Sequence, residues 1–293
     1  MTDTPVFRPP SFRPSCSRLS RRSLLATGLA VLAAPAVLTM SSRMAAAQSL
    51  ADIKSKGKLV VGIQGDNPPW GFLNSQGVQE GYDADIAKLF GKELGLPVEF
   101  VPTAVANRIP ALVTGRVDVL FATMGMYPDR AKAIQFSKPY AANDIVLVAP
   151  KSTVIKTNAD MKNVIIGVAR SSAQDTAVTK AAPEGTTIRR FDDDAATIQA
   201  MLSGQVQAVG ANQFYPLRLN KAQPDTYERK LDFVRQYNGA GTRLGQKEWN
   251  ATINAFIDKI KANGELAKVY QTWMGFAPPE FPETLEGIPF TVG

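Results

Sequence analysis

The 293-residue chain has no histidine and a single cysteine. The first absence removes the nucleophile triads and zinc sites that are built on imidazole. The lone Cys16 cannot form an intramolecular disulfide, and it stands upstream of an apolar run that reads as an export signal. Neither a structural disulfide nor a thiol nucleophile is therefore expected in the mature product, whose fold has to hold by packing. Also missing is any basic stripe interleaved with aromatics, so the net charge of +7 gives no support to nucleic-acid binding. Downstream of the amino-terminal segment no apolar run is long enough to span a bilayer.

Residues 1–47 read as a removable, twin-arginine-like export signal. "SRLSRRSLLATGLAVLAAPAVL" joins Arg21 and Arg22 to an apolar stretch too short for a comfortable membrane span. Ala45-Ala46-Ala47 suits a signal peptidase and puts the mature start at Gln48. The segment holds six arginines against one acid, Asp3, so most of the +7 belongs to it and the remainder of the chain is near neutrality. A periplasmic protein is expected.

From Lys58 onward, β-rich runs alternate with amphipathic ones: "KLVVGI", "DADIAKLFGKEL", "PVEFVP", "NRIPALVTG", "VDVLFATM". That alternation predicts an α/β fold with a mixed, mostly parallel sheet flanked by helices. Gly95 and Gly115 fall where helices should stop. A second series of the same grammar follows: "VIIGVA", a helix from Ser172 through Lys180, "TIRRF", "AATIQAMLSG" and "VQAVGAN". Two lobes are expected, over residues 48–147 and 148–238, with residues 239–293 returning to the first. The crossing strand is placed near Ile145 to Val148 and the return crossing around Tyr237 to Arg243. "QKEWNATINAFIDKIKANGELAKVYQTWMG" reads as two helices broken at Asn263-Gly264, and the proline-rich tail is expected to lie over the first lobe.

Five segments in a fixed order carry a resemblance. They are "GKLVVGIQGDNPPWGFLNSQGVQEGYDADIAKLFGKELG", "LVTGRVDVLFATMGMYPDRAKAIQFSKPYA", "IIGVARSSAQD", "MLSGQVQAVGANQF" and "NGELAKVYQTWMG". Together they resemble the bacterial extracellular solute-binding proteins of family 3, the periplasmic amino-acid-binding components of ABC transporters. The resemblance implies a two-lobed type II periplasmic-binding-protein fold with two crossing segments. It also implies an amino acid or amino-acid-like small carboxylate in the cleft, and delivery to an inner-membrane ABC permease by hinge closure.

The same resemblance singles out ligand-binding residues. Arg130 matches the arginine that holds the ligand's α-carboxylate, a role suited to a permanently charged, two-pronged donor. Thr123 and Gly125 fall at the carboxyl edge of a strand expected over Val117 to Thr123, where open α/β sheets place ligands. Ser171 and Ser172 open a helix whose first N–H groups favour an anion, although Ala173 stands where relatives often have threonine. Trp70 and Phe72 match an aromatic pair able to cover an aliphatic stem or a cation, with Asp66 and Asn67 at the cleft mouth. Val105 stands where some relatives carry a stacking aromatic. Asn212 replaces the aspartate that usually meets the ligand's ammonium, a charged hydrogen bond of about 1.5–3 kcal/mol giving way to a neutral one of about 1. Ligands without a full ammonium, such as a keto acid or amide, are therefore expected to be tolerated. Asp83, Asp118, Trp273, Gly275 and the Asp192-Asp193-Asp194 run read as structural, with Asp83 a capping acid and the aspartate run an acidic helix start.

A binding protein without cofactor or metal, acting as a monomer and not as an enzyme, is the expectation. The competing reading is a periplasmic cyclohexadienyl or arogenate dehydratase-like enzyme on the same fold. Lacking histidine, it would have to use Asp66 or Glu80 as its acid or base. A sensory ligand-binding domain is the third reading, disfavoured by the lack of a downstream membrane or signalling segment in this polypeptide.

Overall fold

The computed structural model describes residues 50–292. The export segment read over residues 1–47, with Cys16, Arg21, Arg22 and the Ala45–Ala47 site, lies outside the described residues. The first lobe opens with α1 (Leu50–Ser55) and β1 (Leu59–Ile63). Leu59, Val61 and Ile63 of β1 are fully buried, as suits a parallel strand covered on both faces. Beside it β2 (Asp66–Asn67), β3 (Gly71–Leu73) and β4 (Gln79–Glu80) form a small antiparallel sheet. Next comes α2 (Tyr82–Leu94), ended by Gly95 at φ 69°, whose N–H caps the carbonyls of Gly91 and Lys92. A residue without Cβ enters that left-handed conformation at least cost. β5 (Val98–Pro102) then pairs parallel with one side of β1, and after α3 (Arg108–Val113) the short β6 (Val119–Leu120) pairs parallel with the other.

The strand expected over Val117 to Thr123 is thus reduced to two residues. Thr123 adopts φ 50°, incompatible with an extended run, and the turn aims its N–H at Asp83 Oδ2, 2.8 Å away. A buried carboxylate from the helix α2 captures the end of the strand.

Beyond α4 (Pro128–Ala131) the chain enters β7 (Gln135–Pro150), a 16-residue strand that runs out of the first lobe and into the second. The second lobe comprises β8 (Ile166–Ala169), α5 (Ala173–Ala181), β9 (Ile188–Phe191), α6 (Asp194–Leu202), β10 (Ala208–Asn212) and α7 (Tyr215–Ala222). The return strand β11 (Tyr227–Thr242) pairs antiparallel with β7 along its whole length, from Tyr227 opposite Pro150 to Thr242 opposite Gln135. The ladder order is β5-β1-β6-β11-β7-β10-β8-β9. Each lobe is therefore a largely parallel sheet, and one antiparallel pair joins them. Register shifts around Asn238, Gly239 and Gly241 bend β11 where it re-enters the first lobe, as bulges do.

Helices α8 (Lys247–Ala262) and α9 (Glu265–Met274) close the first lobe. Trp249, Ile253, Phe256, Ile257 and Ile260 of α8 share a core cluster with Phe90 and Phe121. The tail packs on the same lobe, where Ile288 and Phe290 cover Leu112 and Phe136. Asp118 is structural: buried, it accepts from Val60 N and from Lys56 Nζ and so pins the turn before β6.

Candidate functional site

Carboxyl ends of parallel strands from both lobes converge on one cavity. Gln64, Asn67, Val105, Arg108, Thr123 and Arg130 line it from the first lobe. Ser172, Ala173, Gln174 and Asp194 line it from the second, and Asn143 and Gln236 from the joining strands. The space left among them is about 20 Å³, roughly what one water molecule occupies. This is a closed conformation, held by direct bonds between the lobes.

Arg130 is the most direct of these ties. Its Nη1 donates to Gly125 O at 3.0 Å within the first lobe, and its Nη2 donates to Ser171 O at 2.9 Å in the second. The guanidinium also lies over the Tyr127 ring, 5.4 Å from its centroid. Burial and the nearby Arg108 charge lower its pKa to about 10, which leaves it cationic at neutral pH. Gly125 carries no side chain because the Gln236 carboxamide packs where a Cβ would stand.

Thr123 is held from behind. Its hydroxyl lies 3.0 Å from Asp83 Oδ2 and 2.9 Å from Gln64 Oε1, with one proton to give. Asp83, expected as a capping acid, caps nothing: the N-terminal residue before α2 is Gly81, without a side-chain cap. Its buried carboxylate instead accepts from Thr123 N, and from Tyr140 OH at 2.7 Å. Burial raises its pKa to about 6, against the opposing pull of the Tyr140 and Thr123 bonds.

In the second lobe Ser172 is the N-cap of α5, its Oγ accepting from Asp175 N at 3.0 Å. Ser171 takes φ 59° and turns its carbonyl to Arg130. Helix starts leave their first N–H groups without intrahelical partners, and those of α5, at Ala173 and Gln174, stand at the cavity wall.

Asp66, Asn67 and Asn212 form a second interlobe tie. Asn212 Nδ2 and Arg218 Nη1 both donate to Asn67 Oδ1, at 3.0 and 3.1 Å. Arg218 Nη2 donates to Asp66 O at 2.9 Å, and Ala195 N, in the first turn of α6, donates to Asp66 Oδ2 at 3.0 Å. Asn212 is fully buried, its Oδ1 accepting from Phe214 N. Of the three only Asn67 reaches the cavity wall. The aromatic pair lies away from the cavity. Trp70 is fully buried, edge-on to Tyr82 and Phe214, and Phe72 packs edge-on to Trp273. Neither ring lines the cavity, and Trp70 packs partly on Phe214 of the second lobe.

Six further polar side chains at the cavity escaped the sequence: Gln64, Arg108, Asn143, Gln174, Asp194 and Gln236. Asp194 belongs to the run read as an acidic helix start, yet Asp193 does the capping. Asp194 is 1 % exposed and accepts from Tyr215 OH and from Gln64 Nε2 across the cleft. Burial, then the Asp66 charge, raises its pKa to about 6. Arg108 is 3 % exposed, with Nη1 on Ala122 O at 2.7 Å. A charged residue inside the otherwise apolar "IPALV" helix start was the signal available. Glu80, one of the two carboxylates considered for catalysis, bonds Asn74 at 2.8 Å, and the other, Asp66, is tied to α6. Among the described residues no cluster of candidate metal ligands occurs.

Two lobes joined by a strand pair, closing over polar side chains from both, define a cleft-type solute-binding protein. The sequence profile of the bacterial extracellular solute-binding proteins, family 3, matches residues 59–276, and the chain belongs to that family. The L-cystine-binding protein TcyJ of Escherichia coli K12 is 27% identical, over 88% of this chain and 97% of its own. Among solved structures, an ancestral arginine-binding protein bound to glutamine superposes with a TM-score of 0.70 at 33% identity, covering 75% of this chain and 98% of that one. An ancestral amino-acid-binding protein described as a precursor of cyclohexadienyl dehydratase gives 0.70 at 30% identity, covering 76% and 98%. The curated relatives are binding proteins rather than enzymes.

Proposed function

We propose that the chain captures an amino acid or a closely related small carboxylate in the interlobe cleft, outside the cytoplasm, and presents its closed form to an ABC permease. Arg130 carries the reading. It is a cation at both the seam and the cavity wall, and in the closed form its two terminal nitrogens are spent on one carbonyl from each lobe. A ligand carboxylate is a stronger acceptor than either carbonyl, because both partners are then charged. It takes over the guanidinium, meets the first N–H groups of α5, and makes closure depend on the ligand. Thr123 and the Gly125 backbone supply further polar contacts from the first lobe. Ser172 positions α5, while Asp66, Asn67 and Asn212 hold the lobes together around the site. Export as a periplasmic monomer through the twin-arginine signal completes the proposal.

Calorimetric titration of the purified protein with the standard amino acids and their keto acids tests it. At least one is expected to bind, and Arg130→Ala is expected to remove about 2–5 kcal/mol of that affinity while the ligand-free melting temperature scarcely moves. Failure of every carboxylate to bind, or an Arg130→Ala variant of unchanged affinity and lowered stability, overturns the reading. Changing Arg21 and Arg22 to lysine is expected to stop export.

A further inference from the structure

Arg108 is a second, unspent cation at the same cavity. Two of its nitrogens are used on carbonyls of its own lobe, Nη1 on Ala122 O and Nε on Thr103 O at 3.4 Å. Nη2 has no hydrogen-bond partner among the described residues, although the side chain is almost wholly buried. A buried guanidinium is costly unless it meets an anion. Among the described residues neither Arg108 nor Arg130 lies within ion-pair distance of a carboxylate, and both line the cavity. The Arg108 charge also lowers the pKa of Arg130.

The acceptors at the cavity have a complementary character. Asp194 is the one carboxylate among the lining residues. Asn143 Oδ1 is buried and has no donor among the described residues. The wall thus presents two cations, one carboxylate and, at Asn143, a buried amide oxygen without a donor among the described residues. Asp194, Asp66 and Asp83 act on the Arg108 charge from a distance, but an ordinary amino acid has a single carboxylate for Arg130 and leaves Arg108 Nη2 without a hydrogen-bond acceptor.

From this we infer that the ligand carries two carboxylates, one gripped by Arg130 and the second by Arg108, so that the protein selects a small dicarboxylate. The inference deepens the solute-binding reading above and rests on it. Asp194 and Asn143 then face whatever nitrogen the ligand has. Two sources share the chemistry: an acidic amino acid, and a dicarboxylic acid lacking the ammonium.

Titrations of the purified protein with glutamate, aspartate, 2-oxoglutarate and glutamine decide the matter. Glutamate or 2-oxoglutarate is expected to bind at least about tenfold more tightly than glutamine, since a site built around a buried polar group rejects the analogue that leaves it unpaired. The order of glutamate and 2-oxoglutarate tells the two sources apart. Arg108→Gln is expected to weaken binding of the preferred dicarboxylate at least about tenfold more than binding of glutamine, and Arg108→Lys to retain part of the preference. Equal loss of glutamate and glutamine binding in Arg108→Gln reduces Arg108 to a structural part and overturns the inference. The wild-type comparison stands even where a variant fails to fold. If glutamine or another monocarboxylate binds and no dicarboxylate does, this inference falls and the solute-binding reading survives. If no carboxylate binds, both fall.

Discussion

Arg218 of the second lobe reaches across to the Asp66-Asn67 strand of the first, giving one nitrogen to Asn67 Oδ1 at 3.1 Å and the other to Asp66 O at 2.9 Å. Neither bond involves the cavity wall supplied by Arg130, Thr123 or Asp194. The closed form therefore has a latch that shares only Asn67 with the cavity wall, and closing energy can be altered at Arg218, which does not line the site.

Arg218→Ala should accordingly shift the ligand-free ensemble toward open forms. A protein whose binding-competent state is less populated loses apparent affinity in proportion, and a fall of about three- to tenfold is expected. Small-angle scattering should show a larger radius of gyration without ligand and an unchanged one at saturation. If both the scattering and the affinity match wild type, the latch has no energetic weight.

Asp83 sets a pH dependence of opposite sign to that of an ordinary surface carboxylate. Its folded pKa of about 6 lies above the reference value of 3.8, so between these values the folded state holds more protons than the unfolded. The stability linked to the group is complete below 3.8 and is lost as pH rises through about 6. Unfolding free energy should thus rise as pH drops from 7 towards 5, with Asp83 contributing on the order of 1 kcal/mol over that window and Asp194 acting in the same direction. Asp83→Asn should flatten part of the slope in urea titrations at several pH values. An identical slope in the variant would show that Asp83 titrates elsewhere.

Gly125 gives a steric prediction. A Cβ there would lie under 3.0 Å from the Gln236 carboxamide, which is buried and accepts from Tyr127 OH at 2.9 Å. Gly125→Ala must displace Gln236, a cavity residue, or shift the carbonyl on which Arg130 rests. Overpacking of this kind costs about 1–3 kcal/mol, so ligand affinity and melting temperature should fall together. A variant as stable and as tight as wild type would mean that Gln236 swings aside freely.

Much of the secondary structure was legible because it obeys local rules. Apolar periodicity marked α2, α8 and the buried strands, and Gly95 fell where a left-handed stop was needed. The first part of β11 was missed, since "YERKLDFVRQY" is charged and half exposed and becomes a strand only by pairing with β7. The same resemblance pointed to Arg130 and to Trp70 and Phe72, and of these only Arg130 lines the cavity. A core aromatic and a ligand-stacking aromatic look alike until their neighbours, Tyr82, Phe214 and Trp273, are known.

By itself the sequence determined that the chain alternates strand and helix twice, that it has no histidine and no cysteine after Cys16, and that an arginine follows the carboxyl edge of a central strand. Only the tertiary structure decided which charges share the cavity. Gln64 meets Asp194 across 130 residues of chain and Arg130 meets Ser171 across 41. Such pairings follow from how two lobes close upon each other, a long-range outcome that no local spacing encodes. The same closure turned Asp194 from a helix-start acid into a buried one and left Arg108 buried with Nη2 unpartnered among the described residues.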